Sequence, residues 1–188
     1  MLKPIILFLC LFPIYAEAQI KRGQLIYWSR ERKLQWSDFR YREPVSIHTA
    51  NASTAVRISV DPYEKNDLPD YQITFRFNRS LSWTTDSTSR DLLEHEQYHF
   101  DIYELYARKI RASILELQEA GVEEKEQYTN EITRLLNECK LFQEEYDKQT
   151  AHGFIRNQQA SWQVRINHLL SELQELSTEK VILAATEP

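Results

Sequence analysis

The sequence has 188 residues, of which 42% are hydrophobic and 12% are aromatic. This composition provides enough apolar side chains for a packed core and excludes a disordered chain. The formal net charge of −5 gives no electrostatic basis for binding nucleic acid, and the length fits one domain once a leader is removed.

The N-terminal segment has the features of an export signal. Lys3 provides the positive start, residues 5–14 form a short apolar segment, and residues 16–18 match the small-x-small cleavage pattern. We therefore expect a signal peptide over residues 1–18, cleavage after Ala18, and a mature protein that is secreted or periplasmic. The apolar segment is shorter than the roughly 20 residues of a membrane span, so no stable span is expected after cleavage.

The next part of the chain is predicted to form strands. Leu25–Trp28 is a short apolar run, and the segments 55–60 and 71–77 alternate between apolar and polar residues. A turn-rich polar stretch over 61–70 separates them, and 81–83 could add a last short strand. We expect an antiparallel sheet with one apolar face covered by helices.

From Thr88 onward the apolar residues recur at helical spacing. The pattern predicts three long helices, over about 88–120, 122–151 and 157–177, with residues 181–188 as a C-terminal tail. The predicted fold class is therefore α+β, with an N-terminal antiparallel sheet followed by three long helices, in a single domain over residues 19–180.

The first helix contains His95-Glu96-x-x-His99. Two residues four apart on a helix are separated by about 40° and roughly 6 Å, so both imidazoles can reach one metal ion. A zinc ion with three protein ligands lowers the pKa of a water to about 7, and Glu96 can accept the proton of that water. The motif therefore predicts one Zn²⁺ ion, a zincin-like site and Glu96 as the catalytic base.

A zinc peptidase needs a third protein ligand. His152 ends the second helix, which should return antiparallel to the first and reach the level of His95. We expect His152 as the third metal ligand, with Asp147, Glu145 and Glu144 as alternatives or as supporting residues.

Three further expectations concern other polar residues. Tyr146 and Tyr103 are candidate stabilisers of an oxyanion, although core packing also explains both side chains. Of the remaining histidines, His48 lies in a polar loop without an identifiable partner, and His168 is expected to be exposed. Glu104 points away from the metal and should pair with Arg108, four residues further along the helix.

Several segments together resemble a known family. They are Leu34-Gln35-Trp36-Ser37-Asp38-Phe39, the helical block 92–102, the block 104–108, and Tyr146-Asp147-x-x-Thr150-x-His152-Gly153. In this order they resemble a bacterial family, domain of unknown function family 922, which is described as predicted secreted zinc-dependent proteases. The resemblance covers nearly all of the mature chain and implies the same fold and a zinc-dependent peptidase.

The leading hypothesis is a secreted or periplasmic zinc metalloendopeptidase acting on a peptide or protein. A substrate could lie extended against an edge strand, such as the one ending at Ser82-Trp83. The alternative is a non-catalytic envelope binding protein with a structural or vestigial zinc site, and a third hypothesis is a helical protein that binds no metal. The sequence indicates no oligomeric state.

Overall fold

The computed structural model of the protein describes residues 23–41, 51–65 and 67–186. The strands are β1 (Leu25–Tyr27), β2 (Ala52–Ser53), β3 (Val56–Lys65), β4 (Leu68–Asn78) and β5 (Trp83–Thr84), and the helices are α1 (Arg90–Glu119), α2 (Lys125–Thr150), α3 (Arg156–Glu172) and α4 (Thr178–Thr186). The expected signal peptide and His48 lie outside the described residues.

The main sheet is antiparallel, with strand order β1-β4-β3. β3 and β4 form a hairpin in which Val56 pairs with Phe77, and β1 pairs with the other edge of β4. Ile73, Phe75 and Phe77 alternate along β4 and are fully buried, because this face of the sheet packs against α1. The predicted antiparallel sheet with one covered face is confirmed.

The hairpin is longer than predicted. Residues 61–70 were expected to form a turn, but most of this stretch continues the ladder, down to Lys65 opposite Leu68. Pro62 is tolerated because β3 is an edge strand whose outer side has no partner among the described residues. The turn therefore lies at the hairpin tip, where Asp67 has a φ of 63°.

The central element is α1. It begins where the Ser89 hydroxyl accepts a hydrogen bond from the main-chain N–H of Leu92, an N-cap within the predicted start. It packs against β4 on one side and against α2 and α3 on the other, so most of its circumference is buried. The fully buried centre of the core includes Ile73, Phe75, Phe77, Ile102, Leu105, Ile110, Tyr128 and Ile166.

The second helix runs back along the first. After a turn at Gly121, α2 returns antiparallel to α1 and ends at Thr150, close to the level of His95. This return agrees with the predicted arrangement. Within the described residues, no helix is both long enough and apolar enough to cross a bilayer.

Of the residues expected to form a tail, 181–186 instead belong to α4, and the last two lie outside the described residues. The main-chain N–H of Thr178 donates to the buried Glu104 carboxylate at 2.8 Å, which fixes the start of this helix against α1. Val181 and Ile182 are half-buried, so α4 gains its stability from packing that a short C-terminal segment does not reveal in sequence.

Glu104 and Arg108 form the predicted ion pair inside the core. The Arg108 Nε atom donates to Glu104 at 2.9 Å, and its Nη1 atom donates to the carbonyl of Leu170 on α3 at 2.6 Å. Both side chains are almost fully buried. The pair therefore ties α1 to α3, while Thr178 ties it to α4.

We predict that Glu104→Ala lowers the free energy of unfolding by about 3–5 kcal/mol, because it leaves the buried Arg108 charge without its partner. Chemical denaturation measures this change. The control is Glu116→Ala, which removes an exposed carboxylate from the same helix and should change stability by less than about 0.5 kcal/mol. Equal effects of the two substitutions would contradict a role for the buried pair.

Candidate metal centre

The two motif histidines face each other on one side of α1. Their Nε2 atoms lie 3.0 Å apart, and their rings are nearly perpendicular. His95 is buried and His99 is 13% exposed at its side chain. The helix therefore brings the two imidazoles together as their spacing predicts.

Asp147 on α2 completes a three-atom cluster. Its Oδ1 atom lies 3.0 Å from the Nε2 atom of His95 and 3.0 Å from the Nε2 atom of His99. Zinc ligands lie about 2.0–2.1 Å from the ion, so neighbouring ligand atoms of a tetrahedral site are about 3.3 Å apart. A triangle with 3.0 Å edges fits this donor set after a small expansion.

His152 reaches the same carboxylate from the end of α2. Its Nδ1 atom lies 3.2 Å from Asp147 Oδ1, and its side chain is 47% exposed. His95, Asp147 and His152 each offer a ligand atom within 4.8 Å of the others. The structure thus brings the predicted third ligand and its main alternative, Asp147, into one cluster.

A left-handed turn positions His152. Ala151, His152 and Gly153 have φ values of 47°, 55° and 86°, so the chain folds back over the site. A Cβ atom at Gly153 would lie 3.0 Å from the Cβ atom of His95, which is tighter than an ordinary contact, and the φ of 86° also favours glycine. The turn is therefore held directly against the first motif histidine.

The other predicted acidic candidates lie away from the cluster. Glu144 is exposed and lies 3.8 Å from Lys140, and Glu145 is exposed and accepts a hydrogen bond from Gln149. His168 is also exposed, as expected. These side chains belong to solvent-facing sides of α2 and α3.

The two candidate tyrosines have different positions. Tyr146 is fully buried, its ring stacks on His95 with centroids 4.6 Å apart, and its hydroxyl donates to the His95 carbonyl. Tyr146 therefore packs against the His95 ring inside the core and does not line the cleft. Tyr103 does line the cleft, and burial raises the pKa of its hydroxyl to about 12, so it remains a neutral donor.

Two glutamines that sequence reasoning missed orient the histidines. Gln143 donates from Nε2 to the His99 carbonyl and accepts from His99 Nδ1. Gln159 on α3 donates to the Tyr146 hydroxyl at 2.6 Å, so its oxygen faces His95 Nδ1 at 3.1 Å. Each Nδ1 atom therefore has an acceptor for its proton, so the Nε2 atoms, which face Asp147, are the atoms that a metal ion would bind in place of protons.

The charges in the cluster favour a cation. Burial disfavours the charged form of His99, but the hydrogen bond to Asp147 and the nearby charge of Glu96 outweigh it and raise the pKa of His99 to about 9. Burial also disfavours ionised Asp147, yet hydrogen bonds from His95 and His99 hold its pKa well below the usual range. The carboxylates thus stabilise positive charge at this point.

Glu96 has the surroundings expected of a base that acts on an external molecule. The residue is only 3% exposed and lines the cleft beside the histidines. Its Oε2 atom is buried and has no hydrogen-bond partner among the described residues. An unpartnered buried oxygen is costly, which indicates a ligand or a water in the cleft as its partner.

The cleft beside the cluster has a volume of about 300 Å³. One wall is formed by α1 and α2, and the opposite wall by residues 51–54 and Trp83. The Thr54 hydroxyl donates to the Glu96 carbonyl at 3.2 Å, which joins the second wall to the motif. The site can therefore admit a chain or a small molecule next to Glu96.

We predict that Gln159→Leu weakens zinc affinity by about 10–100-fold, because His95 Nδ1 loses the acceptor that fixes its tautomer. Titration against a chromophoric chelator measures the affinity. Gln158→Leu, at the exposed neighbouring position, is the matched control and should leave the affinity unchanged. Unaltered affinity in folded Gln159→Leu would show that this hydrogen bond does not orient the ligand.

Comparison with known proteins places the chain in a family. No curated protein and no solved structure matches it. Residues 29–153 match the family described as bacterial protein of unknown function (DUF922), a span that holds β2 to β5, α1, α2 and the left-handed turn at His152. The chain therefore belongs to the DUF922 family of bacterial proteins.

Proposed function

We propose that this protein is an exported zinc-dependent peptidase. The observation that carries the proposal is the buried, unpartnered Glu96 oxygen in a cleft that also contains three clustered ligand atoms. A carboxylate beside a metal site is the minimal apparatus for hydrolysing a peptide bond. Export is proposed because residues 1–18 have the composition of a signal peptide.

The proposed ligands are His95 Nε2, His99 Nε2 and Asp147 Oδ1. These atoms support the assignment because each lies 3.0 Å from the other two. His152 lies 3.2 Å from Asp147 and packs edge-on against the ring of His95, but its side chain is half-exposed, so we assign it a position at the edge of the site. When bound, zinc would acidify a water and polarise a carbonyl group.

Glu96 would act as the general base and then as the general acid. Its unpartnered oxygen would accept a proton from the attacking water and return that proton to the leaving amine. The hydrogen bond from Thr54 to the Glu96 carbonyl holds this part of the helix against the cleft wall. Tyr103, which remains neutral, could donate a hydrogen bond to negative charge that develops on the carbonyl oxygen.

A non-catalytic protein with a closed zinc site is the second candidate, and the position of His152 favours it. The His152 Nδ1 atom, close to Asp147, could be the fourth ligand atom and complete a coordination shell made only of protein ligands. Such a shell would leave no position for water. The Glu96 carboxylate, buried in the same cleft, favours the peptidase, because a closed structural site needs no base beside it.

Glu96→Gln is expected to reduce hydrolysis of reduced, carboxymethylated casein by at least about 100-fold, because an amide cannot accept the proton. Zinc content, measured by atomic emission, should stay at one ion per chain. The exposed Glu94→Gln, in the same helical turn, is the matched control and should retain activity. Unchanged hydrolysis in Glu96→Gln would exclude it as the base.

The proposed ligand set predicts an unequal effect of three substitutions. His99→Ala and Asp147→Ala should each lower zinc affinity by more than about 100-fold, since each removes a ligand. His152→Ala should lower it by less than about tenfold. Competition with a chelator of known affinity measures all three. A loss in His152→Ala as large as that in Asp147→Ala would assign His152 to the ligand set.

A further inference from the structure

The main-chain bonding of residues 51–55 determines which way each residue of this wall faces. The Asn51 carbonyl accepts from the Thr85 main-chain N–H at 2.8 Å. The Ala55 N–H donates to the Ser82 hydroxyl, and its carbonyl accepts from the Asn78 N–H. Residues 51 and 55 therefore direct their main-chain groups to the same side, toward β5 and the chain that precedes it.

The main-chain groups of Ala52 point the opposite way from those of residues 51 and 55. Main-chain groups along an extended strand point alternately to its two edges, and Ala52 sits opposite Thr84 between these bonded positions. Its N–H and carbonyl are thus directed away from β5. Among the described residues, the small sheet contains only β2 and β5, so no strand pairs with this edge.

The unpaired edge of β2 borders the cleft. All four residues 51–54 line it, whereas β5 contributes only Trp83. The Thr54 hydroxyl holds the same segment against the Glu96 carbonyl, and Asp147 and His152 form the facing wall. A chain lying along β2 would therefore pass through the cleft that Glu96 also lines.

We propose that the free edge of β2 binds its substrate as an extended polypeptide, through main-chain hydrogen bonds to Ala52. The inference rests on the proposed peptidase function and defines its substrate class: unfolded or flexible chain segments, selected by their backbone more than by their side chains. It also replaces the sequence-based suggestion of an edge at Ser82-Trp83, since that segment faces the cleft through Trp83 alone.

Main-chain recognition by a strand has a signature that packing of side chains lacks. Only every second N–H of an extended substrate can point toward β2. Methylating such a nitrogen removes one hydrogen bond, which should reduce kcat/KM by about five- to tenfold. Methylating the nitrogens between them leaves the pairing intact.

The first experiment uses the full zinc-loaded protein. A bond that it cleaves in reduced, carboxymethylated casein is placed in a quenched fluorescent decapeptide, and each backbone nitrogen of that decapeptide is methylated in turn. The expected result is a loss of kcat/KM at the nitrogen that donates to the Ala52 carbonyl, and little change when either neighbouring nitrogen is methylated. A uniform loss, or no loss at any position, would overturn strand pairing while leaving the peptidase function intact.

The second experiment measures binding without hydrolysis. Zinc-loaded Glu96→Gln should bind labelled, carboxymethylated casein in fluorescence anisotropy, and adding Ala52→Pro should weaken binding by about five- to tenfold because proline lacks the N–H. Zinc content and thermal unfolding identify any damage to the fold. Equal affinities with and without Ala52→Pro would contradict the proposal, whereas absence of casein cleavage by the wild type would contradict the peptidase function alone.

Discussion

A single carboxylate oxygen on α2 lies equally close to two imidazole nitrogens on α1, and the site depends on this contact. His95, His99 and Asp147 belong to two antiparallel helices, so a shift of either helix by one residue would separate the atoms by about 1.5 Å. The charges reinforce the contact, because the carboxylate favours positive charge on His99 and is itself held ionised. A metal ion would occupy the place of that positive charge.

The surrounding structure keeps the two helices in register. Gln143 lies one turn before Asp147 and bonds both the ring and the carbonyl of His99. Gln159 reaches His95 from α3 and is itself bonded to Tyr146. Because all three long helices contribute a group, the ligand atoms are fixed by the packing of the core and not by a flexible loop.

The sequence predicted the local parts of this site and missed those that depend on tertiary structure. The spacing of His95 and His99 fixes their common face through helix geometry alone. The positions of Asp147 and His152 relative to the two histidines depend on the left-handed turn after Thr150, and the helical pattern of the sequence does not predict that turn. Gln143 could have been noticed from its four-residue spacing to Asp147, whereas Gln159 offers no local signal because another helix carries it.

The close approach of Gly153 to His95 has a consequence for how the chain tolerates change. A methyl group on the Gly153 α-carbon would lie 3.0 Å from the His95 Cβ atom, so the imidazole or the turn would have to move by a few tenths of an ångström. Either movement would displace a donor atom of the cluster although every donor residue remained in the sequence. A comparison of the donor residues alone would therefore miss this defect, because residue 153 supplies no donor atom.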